Sequence, residues 1–187
     1  MAPPVDPRTF RKTVGQFPTG VAVVATEVNG EIHAITVNSL SSVSLDPILM
    51  LICVDKRAKM AEFMQQTKGF SVNFLRDEQQ ALSTYFAGGW KEETPPPFRF
   101  VVWTGGPRLE GCAGAIGCRL HQLIEGGDHW VIIGEVVALH SGVEPRYPLV
   151  FHGGMYRKLD RRQGEEAPDL DSGKTDVRVF YDPWDEG

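Results

Sequence analysis

The chain has 187 residues, 42% of them hydrophobic and 23% charged, enough for one globular domain with a sizeable core. No apolar run approaches the ~20 residues of a membrane span, and the opening MAPPVDPRTF lacks a signal peptide's apolar segment, so the expected location is cytoplasmic. Residues 1–159 carry 15 acidic and 15 basic side chains, while residues 160–187 carry 9 and 4, so the net charge of −5 sits in the tail. A neutral body without a basic stripe argues against a nucleic-acid partner.

Asp6-Pro7 is a helix N-cap and first-turn pair, and Phe10, Val14 and Phe17 follow at helical spacing. Pro18-Thr19-Gly20 ends that helix near Gln16. Two strands, 21–27 and 31–38, flank Asn29-Gly30, a strong hairpin signal. A third covers 40–45. The unbroken apolar run 48–54, bounded by Asp46-Pro47 and Asp55, predicts a fourth strand buried on both faces. Residues 57–67 predict a helix presenting Met60, Ala61, Phe63 and Met64 and closed by Gly69.

A strand at 70–75 and a helix at 77–86 follow, the helix with Ala81, Leu82, Tyr85 and Phe86 inward. Residues 87–98, with Gly88-Gly89 and Pro95-Pro96-Pro97, predict a long loop of the kind that forms a lid or a subunit contact. A strand is expected at 99–104. Two long antiparallel strands, 113–123 and 129–140, surround Gly126-Gly127-Asp128, and short strands at 149–151 and 155–159 surround His152-Gly153-Gly154. Residues 160–187 form a separate acidic segment, expected to be a mobile tail with Val177, Phe180, Tyr181 and Trp184 as docking residues.

Many short strands with hairpin punctuation and three helices predict a mainly β domain over residues 1–159, a closed or nearly closed antiparallel barrel. There is no Gly-x-Gly-x-x-Gly between a strand and a helix and no alternating strand–helix rhythm, which argues against a Rossmann arrangement. Cys53, Cys112 and Cys118 lack metal-ligand spacing, as do His33, His121, His140 and His152, so no metal site is expected.

The densest chemistry lies in HAITVNSLSSVSLDPILMLICVDKRAKM, residues 33–60. Thr36, Asn38, Ser39, Ser41, Ser42 and Ser44 crowd small donors and acceptors together. Asp55-Lys56-Arg57-Ala58-Lys59 places cations and backbone N–H groups where a helix is expected to start, an arrangement suited to phosphate. An ordinary sheet with a charged turn accounts for the same pattern.

Several pieces in order resemble one family: Phe17-Pro18-Thr19-Gly20-Val21, Thr36 to Pro47, Phe70-Ser71-Val72-Asn73-Phe74-Leu75, Gly126-Gly127-Asp128-His129 and Gly153-Gly154-Met155-Tyr156. Together they look like the flavin reductase domain, the reductase component of two-component flavin monooxygenases. The resemblance spans about residues 8 to 159.

It implies a Greek-key split β-barrel, a homodimer with flavin at the subunit interface, FMN or FAD bound and NADH or NADPH as reductant. Reduced flavin is implied to pass to a separate monooxygenase. The ring edge falls to Thr36, Val37, Asn38, Ser39 and Ser41. Phosphate and ribityl contacts fall to Asp55, Lys56, Arg57, Ala58 and Lys59. Asn73, Phe86 and Tyr156 complete the implied cofactor contacts. Ala58 and Met60 stand where the family pattern has a serine and a threonine, so two hydroxyl donors are missing and a loosely held flavin is expected.

His129, at a barrel rim, is implied to position the nicotinamide, with Asp128 orienting its imidazole. The phosphate segment is expected to lie away from His129, so that losing His129 leaves flavin affinity little changed. Phe86, Trp90, Phe98 and Phe100, apolar residues in or beside loops, also predict a second copy. Two other readings remain open: a flavin-binding barrel without turnover, and an apolar-ligand or interaction barrel that binds no flavin.

Overall fold

The computed structural model describes residues 4–141 and 147–159. The predicted tail, residues 160–187, lies outside the described residues.

Helix α1 (Pro7–Val14) starts as its sequence requires: the Asp6 carboxylate accepts the Thr9 backbone N–H at 2.8 Å, and Pro7 occupies the first turn. A short strand β1 (Thr19–Gly20) leads into β2 (Ala22–Val28) and β3 (Glu31–Val37). Asn29 and Gly30 between them both take positive φ, 52° and 82°, the turn whose twist matches a right-twisted hairpin. β4 (Leu40–Leu45) and β5 (Ile48–Asp55) form the next hairpin, followed by α2 (Lys59–Met64) and β6 (Gly69–Phe74). A 3₁₀ turn (Asp77–Gln79) runs into α3 (Gln80–Phe86). β7 (Phe100–Val101) and β8 (Arg108–Leu109) are short. β9 (Gly114–Gly126) and β10 (His129–Ser141) are the long hairpin, and β11 (Val150–His152) and β12 (Met155–Arg157) complete the described chain.

Seven strands form one antiparallel sheet in the order β3-β2-β6-β9-β10-β5-β4. Its two edge strands, β3 and β4, are joined by only Asn38 and Ser39, so the sheet must curl until its edges meet. The result is the expected split barrel. Met50, Ile52, Val54, Phe70, Val72, Cys118 and Ile132 fill it, and Met60, Phe63 and Met64 of α2 pack into the same core. A second apolar cluster, with Val21, Val23, Leu75, Leu82, Leu109 and Leu149, lies where α3 and the small β1-β11-β12 sheet meet the barrel.

Some local expectations fail. β5 is not buried on both faces: Met50, Ile52 and Val54 point into the core while Leu49, Leu51 and Cys53 are half-covered. β5 belongs to an antiparallel wall with one open side, not to a parallel sheet with two covers. The helix expected over 57–67 is only α2, and Gly69 belongs to β6 rather than to a helix cap. The strand at 99–104 shortens to Phe100–Val101 because the chain turns at Gly105. On α3, Ala81 is exposed and Ser83 is buried. The apolar face of α1 meets no core: Phe10, Val14 and Phe17 are all exposed. Conversely, Tyr85, Phe86, Phe98 and Phe100 satisfy one another, with ring centroids 5.0–6.0 Å apart, and Trp90 donates to the Thr94 carbonyl. They give weaker support for a second copy than their sequence positions suggested.

Candidate functional site

β5 is the strand on which the predicted site converges. Ser39 is clamped to it twice: its hydroxyl donates to the Cys53 carbonyl at 3.0 Å and accepts the Cys53 N–H at 3.1 Å. Two residues on, β5 reaches Asp55, and the chain continues through Lys56–Lys59 into α2. On its other side, β10 sets His129 directly opposite Asp55. The Lys56 N–H donates to the Asp128 carbonyl at 3.0 Å, tying the β9–β10 turn to the cationic segment. His129 is therefore next to the segment predicted for phosphate, not away from it. The sequence expectation failed because register across a barrel cannot be read from linear spacing.

The turn fixes the imidazole. His129 Nδ1 lies 2.8 Å from Asp128 Oδ1. A carboxylate can only accept, so Nδ1 carries the hydrogen and Nε2 is left for another partner. The bond from His129 holds the Asp128 carboxyl below the usual carboxylate range. Both side chains are open to solvent, as a rim position requires.

Each cation of the neighbouring segment has a carboxylate partner. Arg57 makes a bidentate contact with Asp55 at 2.6 and 3.0 Å, and its N–H also donates to Asp55 at 2.8 Å. These bonds hold the Asp55 carboxyl well below its ordinary value. Lys56 lies 3.3 Å from Glu125 and 5.0 Å above the Trp130 ring. Lys59 lies 2.7 Å from Glu31, whose carboxyl it lowers, and 5.2 Å above Phe63. Ala58 caps α2 without any side-chain bond, and Met60 is wholly inside the core. The two hydroxyls missing from the sequence are thus not replaced by either side chain.

The remaining predicted residues divide. Asn38 donates to Thr19 Oγ1 at 3.3 Å and lines a cleft of about 450 Å³ with Phe17, Pro18, Val37 and Leu40. Ser41 is exposed on β4 and bonds locally to the Ser42 carbonyl. The Thr36 hydroxyl is engaged by the Ser83 carbonyl at 2.7 Å, and the Ser83 hydroxyl meets Tyr156 Oη at 2.8 Å. Thr36 and Tyr156 are thus held together through a buried α3 serine that carries no local sequence signal. Phe86 packs with Phe98 and Phe100 against the second cluster.

Asn73 is a correction. It is fully buried, donates to the Val23 carbonyl and Ser71 Oγ, and accepts the Leu109 N–H at 2.8 Å. It braces the barrel wall and presents no polar group to a ligand. Trp130, Glu125 and Glu31 were also missed. Trp130, beside His129 on a long strand, was the one with a local signal. Glu31 and Glu125 reach their lysines only through the folded register.

A second cleft, about 360 Å³ between residues 66–69 and 102–107, contains none of the predicted residues. Among the described residues no cluster of His, Cys, Asp and Glu is arranged to hold a metal, and no helix is long and apolar enough to cross a membrane.

Residues 14–160 match the flavin reductase like domain. The chain belongs to that family. Members similar to it include an NADH-dependent FAD reductase of Streptomyces globisporus, 36% identical over 93% of this chain and 97% of that protein. The reductase subunit HsaB of a flavin-dependent monooxygenase of Rhodococcus jostii is 34% identical over 88% and 84%. Among solved structures, the flavin reductase PheA2 superposes with a TM-score of 0.79 at 38% identity, covering 84% of this chain and all of its own. The S. globisporus NADH:FAD oxidoreductase SgcE6, solved with NAD and FAD fragments, superposes with a TM-score of 0.73 at 34% identity, covering 90% and 99%.

The family's flavin fits the residues present. The polar edge at Asn38–Ser41 opens on one side to the cleft lined by Asn38 and Leu40, and on the other is tied through Ser39 and Cys53 to the end of β5, from which the cationic segment continues. The absent hydroxyls at 58 and 60 and the paired cations make the phosphate end the weaker part of that fit.

Proposed function

We propose that this chain is a flavin reductase that transfers hydride from NADH or NADPH to FMN or FAD and supplies the reduced flavin to a separate monooxygenase. The observation that carries the reading is the convergence on β5 of Ser39, the 55–59 segment and the Asp128–His129 turn. Bound flavin supplies the hydride-accepting ring, and carbon-to-ring hydride transfer needs no protein acid at the carbon. The chain's part is to hold two flat rings face to face and exclude water. Asn38, Ser39 and Ser41 border the ring edge, with Val37 behind them in the wall. The Lys56, Arg57 and Lys59 side chains face the phosphate, with Ala58 between them. His129 Nε2, with the ring fixed by Asp128, positions the nicotinamide. Thr36, Tyr156 and Phe86 shape the seat from behind through Ser83 and the aromatic cluster.

The test follows nicotinamide absorbance at 340 nm with and without FMN or FAD. Flavin-dependent oxidation is expected, with reduced flavin appearing free in solution. No flavin-dependent rate with either nicotinamide rejects the reading.

The working unit is a homodimer, and the reaction belongs to the cytoplasm, where nicotinamide is available. Support for the dimer comes from Leu40, Val43, Leu45 and Ile48, four apolar side chains exposed on the β4–β5 hairpin. Sedimentation at micromolar concentration is expected to give twice the chain mass. A monomer mass rejects it.

A further inference from the structure

Three cations follow β5, and each is already matched by a carboxylate. Asp55 holds Arg57 from within the segment. Glu125, from the β9–β10 hairpin, holds Lys56, and Glu31, from the start of β3, holds Lys59. The last two partners come from distant parts of the chain, so the pairing is built by the fold. Counting Asp128, the segment and its surroundings bring four carboxylates to three cations. No side-chain hydroxyl is available at 58 or 60.

Resting on the flavin reading above, we infer that Glu31 and Glu125 are counter-charges that compete with the flavin phosphate for Lys59 and Lys56 and so keep the flavin exchangeable. A phosphate arriving at this segment must displace a carboxylate or share its cation. Part of the attraction is cancelled in either case, because an ion pair already satisfied gains less from a second anion. Lys56 and Lys59 are also kept in place while unliganded, each lying over an aromatic ring. Removing the acid therefore frees a cation that is already positioned. Flavin without a phosphate has nothing to gain from that release.

The experiment is fluorescence titration of Glu31→Gln, Glu125→Gln and the double variant with FMN, FAD and riboflavin. Glutamine keeps the size of the side chain and removes its charge. FMN and FAD are expected to bind about 2- to 5-fold tighter to each single variant and about 5- to 20-fold tighter to the double variant. Riboflavin affinity is expected to stay unchanged, and the double variant is expected to purify with more flavin bound. Unchanged FMN and FAD affinities overturn the inference. Equal tightening of all three flavins also overturns it, because the effect then does not run through phosphate. Wild-type protein that binds none of the three flavins rejects the flavin reading itself.

Discussion

His129 on β10 faces Asp55 on β5 as a direct antiparallel pair, while the Asp128 carbonyl takes the Lys56 N–H at 3.0 Å. The residue proposed to position the nicotinamide and the segment proposed to face the phosphate thus lie side by side. His129→Ala is expected to lower kcat/KM for the nicotinamide by roughly 5- to 150-fold, the effect of about 1–3 kcal/mol of lost positioning. It also releases the Asp128 carboxylate beside Lys56 and Arg57, so flavin affinity should shift as well. The melting temperature should hold, because the side chain is at the surface. Asp128→Asn should act in the same direction more weakly. Full kcat/KM in His129→Ala with both nicotinamides would falsify the role.

Asn73→Ala is a stability prediction. Its amide bonds to Val23, Ser71 and Leu109 across three segments, all inside the wall. Truncation leaves buried groups without partners, at a cost of about 2–4 kcal/mol. Chemical denaturation should show that loss, with flavin affinity per folded molecule preserved. A normal unfolding midpoint with impaired flavin binding would restore Asn73 as a ligand residue.

Gly134 tests how tightly the barrel interior is filled. A Cβ there would stand 2.7 Å from both Cys118 Cβ and the Phe70 ring tip. Gly134→Ala should cost about 1–3 kcal/mol and lower the melting temperature by several degrees. Thermal unfolding of Gly134→Ala beside Gly30→Ala separates crowding from backbone strain, since a Cβ at Gly30 meets nothing within 4 Å.

Cys118 gives the pH prediction. Burial pushes its thiol up to about 12 from an ordinary 9.0. The folded chain keeps that proton where the unfolded chain loses it. The contribution to stability is therefore complete below pH 9 and declines as pH rises toward 12. Cys118→Ala should show a shallower alkaline loss of stability than wild type over that window. Parallel curves for the two proteins would count against it.

Much of this molecule could be read before folding because the signals were local. Asn29-Gly30 and Gly126-Gly127-Asp128 marked their turns, and Leu40–Leu45 appears with the bounds expected. Motif order carried the flavin expectation. What stayed hidden was register. Spacing gives no means of pairing Lys59 with Glu31 or Lys56 with Glu125, since each pair joins segments far apart in sequence. Asn73 misled because a polar residue on a strand reads the same whether it meets a ligand or a neighbouring strand. β5 misled because a continuous apolar run does not tell how many of its sides are covered.

The two edges of the main sheet meet through Asn38 and Ser39, with Ser39 fastened to Cys53 by both of its hydrogen bonds. That makes the barrel a hoop closed by one small clasp. When the hoop breathes, it should open first at this clasp, and a molecule spanning Asn38 and the end of β5 would hold it shut. Occupancy would then be felt well beyond the contacting side chains, as slower amide hydrogen exchange along all of β4.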